Sequence, residues 1–173
     1  MSRWSGCSDR LSRTQSLRET PICDILDAMA LSIQKFREIV FQLLYSRDFK
    51  IDDIEGMVPM LMRQLTVPKR AAASAQQRAG EIWEKRQELD QKINANIEGY
   101  EEDRVLRVER AILRLGAYEL LEKAVPPKVA ISEATRLARK FATKESSAFV
   151  NAVLDSIFTS SEHETLSKEP APL

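Results

Sequence analysis

The chain has 173 residues, with 26 Lys and Arg against 26 Asp and Glu and a formal net charge of zero. That balance excludes a molecule that grips an acidic polymer through its overall field, so any nucleic-acid contact has to come from a local patch. With 43% hydrophobic and 30% charged residues, 5 Gly, and no apolar run of the ~18 residues a membrane span needs, it reads as one soluble, helix-favouring domain with a single sizeable core.

Residues 1–28 are polar and lack the apolar stretch of a secretory signal. Asp9, Glu19, Asp24 and Asp27 argue against a transit peptide. The expectation is a disordered extension, or a start placed ahead of Met29, followed by a folded domain over 29–158. Both cysteines, Cys7 and Cys23, fall in this leading part. The domain therefore has no material for a disulfide framework or a cysteine metal site, which fits a reducing, cytoplasmic compartment.

The first helix is expected from about Ser32 to Ser46, with Ser32 able to N-cap it. Ile33, Phe36, Ile39, Val40, Leu43 and Leu44 recur at helical spacing and cover more than half the wheel. Gln34, Lys35, Glu38, Gln42 and Tyr45 form the polar remainder. Residues 51–65 suggest a second helix, with Pro59 near its first turn. Pro68 to about Glu98 is helical at spacings of three and four, as one helix or two, weakened slightly at Gly80 and ended by Gly99-Tyr100. Residues 102–123 carry two apolar stripes, which imply a central helix packed on both sides; Val125-Pro126-Pro127 stops it. A further helix is expected after Ser132, with Ala134, Leu137, Ala138 and Phe141 inward. A last one spans about 145–158, before a polar, frayed tail over 159–173. No segment alternates with period two for long, so the domain is all-α, a compact bundle of six or seven helices.

The sole histidine is His163, in the expected tail. No His or Cys is left inside the fold as a base, nucleophile or zinc ligand, and no glycine-rich phosphate loop is present. Carboxylates are mixed with arginines on helix surfaces, as in the Asp103–Arg107 pair at i, i+4, a pattern of helix support. The expectation is a binding protein and not an enzyme, with no cofactor and no metal.

Three stretches, VLRVERAILRLGAYEL (105–120), PPKVAISEATRLARKFA (126–142) and SSAFVNAVLDSIF (146–158), together with the opening KFREIVFQLLYSRDF, resemble the NusB family of bacterial transcription antitermination factors. The resemblance covers roughly Ser32 to Phe158. It implies an all-helical bundle of two small subdomains that binds the boxA element of single-stranded nascent RNA together with NusE, a ribosomal protein. The pair joins an antitermination complex on RNA polymerase, notably in ribosomal RNA synthesis.

Carried over residue by residue, the resemblance places Lys35 and Arg37 at the family's RNA-binding first helix. On the wheel Arg37 lies between Phe41 and Leu44, a position that also suits pairing with a carboxylate at the edge of the core. Lys144 and Glu145, in an expected loop before the last helix, match another part of the RNA face with Phe149, which fits the core stripe as well. Tyr45 and Glu109 match the NusE contact, Tyr45 with its ring free on a polar face, Glu109 with a structural salt bridge as its other reading. Arg110 and Arg114 read as fold-stabilising or solvated, and Asn151 as buried and bonded to backbone. Two other readings share the helical pattern: a non-catalytic interaction scaffold or homodimer, and an rRNA-methyltransferase-type targeting domain.

Overall fold

The structure is a computed structural model that describes residues 32–49, 59–60, 63, 67–97 and 105–166. The expected boundary at Met29, both cysteines and most of the expected helix over 51–65 lie outside the described residues.

Among the described residues, six helices with described bounds follow in chain order: α1 Ile33–Arg47, α2 Lys69–Glu84, α3 Arg86–Ala95, α4 Arg107–Leu121, α5 Pro127–Phe141 and α6 Lys144–Leu166. No strand occurs among the described residues. The α1–α2 pair forms one packed group and α4, α5 and α6 another; α1 docks on α4, and α3 bridges α4 and α6. This is the all-α bundle expected.

The central position of α4 follows from its two stripes. Ile112, Leu113, Leu115, Ala117 and Leu120 are all buried, facing neighbours on opposite sides. Gly116 permits a close approach of its neighbours. A Cβ built there would lie 2.6 Å from Leu154 Cδ1 on α6 and 3.3 Å from Ala134 Cβ on α5. The broad apolar face of α1 is likewise buried, from Ile39 to Leu44, which sets α1 against both α2 and α4.

Of the two readings open after Pro68 the chain takes the second, and helix ends depart from expectation in three further places, each for a local reason. The long pattern after Pro68 is two helices broken at Lys85 (φ −84°, ψ 5°), while Gly80 continues within α2. The fifth helix starts at Pro127 and not after Ser132, with Pro126 as N-cap. A proline at the first helical position lacks only an N–H that would go unpaired there, so the tandem that ends α4 also opens α5. The Ser132 hydroxyl instead donates to the Val129 carbonyl (3.0 Å). Lys144–Ser147 is the first turn of α6 and not a loop, because Thr143 Oγ1 accepts the Ser146 N–H (3.1 Å) as an N-cap does. Finally, α6 runs to Leu166 and does not stop at about 158. Its polar side chains are tethers: the Ser156 and Ser160 hydroxyls both donate to Asn96 Oδ1 beyond α3, at 3.0 and 2.9 Å.

Candidate nucleic-acid and partner interfaces

The first turns of α1 present Lys35 to solvent, and it makes no ion pair among the described residues. Arg37 does the opposite. It is 4% exposed, and its Nε donates to both oxygens of Glu119 on α4, at 2.8 and 3.1 Å. Arg37 is thus buried in a carboxylate pairing inside the fold, the second of the two readings that its place on the wheel allowed. Its place between two buried apolar residues, Phe41 and Leu44, carries it inward. Burial pushes the Glu119 carboxyl up, and the opposing pull of Arg37 does not fully offset it.

Glu38 follows the same logic from the α5 side. It accepts from Arg136 Nη1 (2.8 Å) and Lys140 Nζ (2.7 Å). Burial pushes its carboxyl up, but the hydrogen bonds from Lys140 and Arg136 outweigh burial and hold it below its ordinary value. Arg136 also donates to Glu133 (3.0 Å) and to the Gln34 carbonyl (3.3 Å). The cations of α5 that face α1 are therefore neutralised within the fold.

Its outer face is different. Thr135, Arg139, Lys144, Ser147, Ala148 and Asn151 line an open groove of about 680 Å³ between α5 and the start of α6. Arg139 and Lys144 are exposed, and neither has a partner among the described residues. Lys144 is thus where an anion could meet it, with Glu145 exposed beside it. Hydrogen bonds from the Glu145 backbone N–H and from Thr143 hold the Glu145 carboxyl below the usual range. Phe149 is half-buried and packed against the core. Asn151 is exposed and not buried, its Oδ1 accepting from the Thr135 hydroxyl (3.4 Å). Arg139 and Thr135 were missed in the sequence. The signal was there: with Ala134, Leu137, Ala138 and Phe141 inward, residues 135 and 139 fall at i, i+4 on the outward face.

The other end of α1 holds an aromatic corner. The Tyr45 ring is not free. It stacks on Phe41 (centroids 6.0 Å apart) and meets Phe49 edge-on at 4.9 Å. Phe49 is 46% exposed, and the Arg107 guanidinium lies 4.9 Å from its centroid. Arg107 opens α4, and two residues on, Glu109 bends back to accept the Leu106 N–H at 3.0 Å. Glu109 is only 7% exposed, while Leu106 is 53% exposed. The described residues thus give Glu109 a helix-capping bond in place of the structural salt bridge that was its other reading. Tyr45 is joined through Phe49 to Arg107 at the start of α4, two residues before Glu109, a link that no spacing in the chain announces.

Arg114 is structural, as its sequence context suggested. It donates to Asp48 (2.9 Å) and to both oxygens of Asp90 (2.8 and 2.7 Å). Burial lowers its pKa, but the two aspartates prevail and raise it. Its guanidinium, with those of Arg47 and Arg86, sits 5.0–5.9 Å from the Trp83 ring centre. Among the described residues no helix is long and apolar enough to cross a membrane.

Comparison with known proteins identifies similar chains. A family model described as the NusB family matches residues 34–159. The transcription antitermination protein NusB of Methylacidiphilum infernorum is 33% identical over 133 residues, spanning 76% of this chain and 93% of that relative. Among solved structures, T. maritima NusB superposes with a TM-score of 0.63 at 34% identity, over 73% of this chain and 89% of that one. A crystal structure of the antitermination factors NusB and NusE in complex with dsRNA superposes with a TM-score of 0.63 at 25% identity, over 73% of this chain and 96% of that one.

Proposed function

The chain belongs to the NusB family, and from that premise we propose that it is a transcription antitermination factor that binds RNA jointly with NusE. The observation that carries the RNA half is the groove between α5 and α6. Its two cations, Arg139 and Lys144, are exposed and unpaired, whereas Arg37, Arg136 and Lys140 are spent on internal carboxylates. Free cations beside hydroxyl and amide groups suit a phosphate backbone with adjacent base edges. Lys35, on the exposed start of α1, extends this face.

The aromatic corner of Tyr45, Phe49, Leu106 and Arg107 supports the protein half. Exposed aromatic and apolar groups rimmed by a cation are the composition of a partner contact. Glu109 contributes there by holding the start of α4, on which Leu106 and Arg107 are displayed. The chain acts as a non-catalytic adaptor, and its place is the cytoplasm, where nascent RNA and a ribosomal protein are both present.

The test is titration of the whole chain with a boxA-type single strand and with a duplex of the same sequence, each with and without NusE, over a salt series. Single-strand binding that is sequence-dependent, strengthened by NusE and weakened about tenfold in Arg139→Gln/Lys144→Gln is expected. Absence of sequence-dependent binding in every condition overturns the reading.

A further inference from the structure

We infer that Arg47 and Arg86, gathered round the Trp83 indole, form a second anchor of the protein-partner surface, one that receives a carboxylate of the partner. The inference rests on the partner half of the reading above. It extends that surface from the Tyr45–Phe49 corner to the junction of α1, α2, α3 and α4.

The first observation is an imbalance among three guanidiniums. Those of Arg47, Arg86 and Arg114 lie 5.9, 5.0 and 5.6 Å from the Trp83 ring centre. Arg114 takes both aspartates of the junction, Asp48 and Asp90. Arg86 is fixed by its Nη1, which donates to the Trp83 carbonyl (3.0 Å), and pairs with no carboxylate among the described residues. Arg47 has no ion pair among them either, and its Nε is buried without a hydrogen-bond partner. Asp48 is next in sequence but does not serve it: Oδ1 accepts from Arg114, and Oδ2 is buried and unpartnered. Burial lowers the Arg47 pKa, and the charge of Glu84 offsets that only in part. A guanidinium withdrawn from water with no carboxylate on it is destabilising in the free chain, and an incoming anion relieves it.

The second observation is the chemistry left open. Three guanidiniums over one indole leave little ring for a base to stack on, which disfavours single-stranded nucleic acid here. The forks of Arg47 and Arg86 instead suit a bidentate carboxylate. Both side chains, like Trp83, are half-buried, so each keeps an exposed part. Trp and Arg are also the residue types that recur as anchors of protein contacts.

The third observation is position. Arg107 and Arg114 stand at i and i+7 on one face of α4, about 10 Å apart by helical rise. Arg107 lies over Phe49 in the aromatic corner, and Arg114 over Trp83. Asp48, which Arg114 holds, directly precedes Phe49. The cluster thus continues the partner corner by two helical turns. Lys35, at the RNA end of α1, is about 18 Å from Arg47 by the same rise.

The experiment has two readouts. In the first, NusE and a boxA-type strand are each titrated into the whole chain and into Arg47→Gln/Arg86→Gln, over a salt series, with helical content measured beside them. NusE affinity should fall about tenfold in the double variant and lose part of its salt dependence, while RNA affinity without NusE stays within about twofold. In the second, the whole chain carries Trp4→Phe, which leaves Trp83 as its only tryptophan, and is labelled with 5-fluorotryptophan. The fluorine resonance of Trp83 should move on addition of NusE and not on addition of RNA alone. This readout leaves the arginines intact and decides the matter if the double variant does not fold. NusE bound with equal affinity by a folded double variant, or bound with no change at Trp83, overturns the anchor and leaves the partner reading standing. A resonance that moves with RNA and not with NusE overturns it in favour of a nucleic-acid contact. No NusE binding by the whole chain overturns both the anchor and the partner reading.

Discussion

Arg37 stands two residues after Lys35, yet the two cations have opposite fates, and a stability measurement separates them. Arg37→Ala strands the buried Glu119 carboxylate and should cost about 3–5 kcal/mol in urea unfolding. Replacing both partners with apolar groups, Arg37→Met with Glu119→Leu, should return stability to within about 1 kcal/mol of the original or above it. RNA affinity in that double variant should stay within about twofold, because Arg37 does not face the groove. Glu109 poses the matching question at the partner corner. Glu109→Ala removes the acceptor for the Leu106 N–H and should cost roughly 1–2 kcal/mol. Glu109→Gln keeps an acceptor and should hold stability within about 0.5 kcal/mol. Calorimetry with NusE then reads the charge alone; affinity in the Gln variant is expected to stay within about twofold, because Glu109 acts by holding the start of α4, and a tenfold loss would assign the carboxylate itself to the partner contact.

Among the elements, α4 was the most legible in the sequence, because its two stripes at helical period have only one meaning, burial on both sides. The apolar faces of α1 and α5 were legible for the same reason. Helix ends were not, since they turn on local bonds that compete with composition. The prolines before Lys128 look like a stop signal from one side and are a start from the other. Ser160 looks like part of a tail and is, with Ser156, a tie to Asn96. Site residues were less legible still. Arg37 and Arg139 look alike as isolated cations, and only the presence of Glu119 across the core distinguishes them. Gly116 offers an element-scale test of the α4–α5–α6 junction. Gly116→Ala adds a Cβ against Leu154 and Ala134. The overpacking, typically about 1–3 kcal/mol, outweighs the roughly 0.5–1 kcal/mol gained in helix propensity, so a net loss of about 1 kcal/mol and a fall in Tm of roughly 2–4 °C are expected. Adding Leu154→Val should restore part of it by removing reach from the clashing side chain. An unchanged Tm in Gly116→Ala would show that the junction has slack.

Across the whole molecule, internal carboxylates set the response to acid. The lowered pKa of Glu38 means that its contribution is complete above the ordinary value of 4.5 and is lost as pH falls through the lower folded value. Glu119, with its raised pKa, has the reverse sign: its contribution is complete below the ordinary value and declines as pH rises through the folded one. Urea midpoints for Glu38→Gln should therefore lie below those of the original chain at neutral pH and converge with them in acid. A constant difference down to acid pH would show that Glu38 acts by packing and not by charge.

The two candidate interfaces sit toward opposite ends of α1, Lys35 in its first turn and Tyr45 in its last. A helix of 15 residues is about 22 Å long and has no hinge. An RNA strand and a ribosomal protein bound at its two ends are held as neighbours at a set spacing. Each then meets the other at a high effective concentration, so their joint affinity exceeds that for either alone with no change of shape in the chain between them.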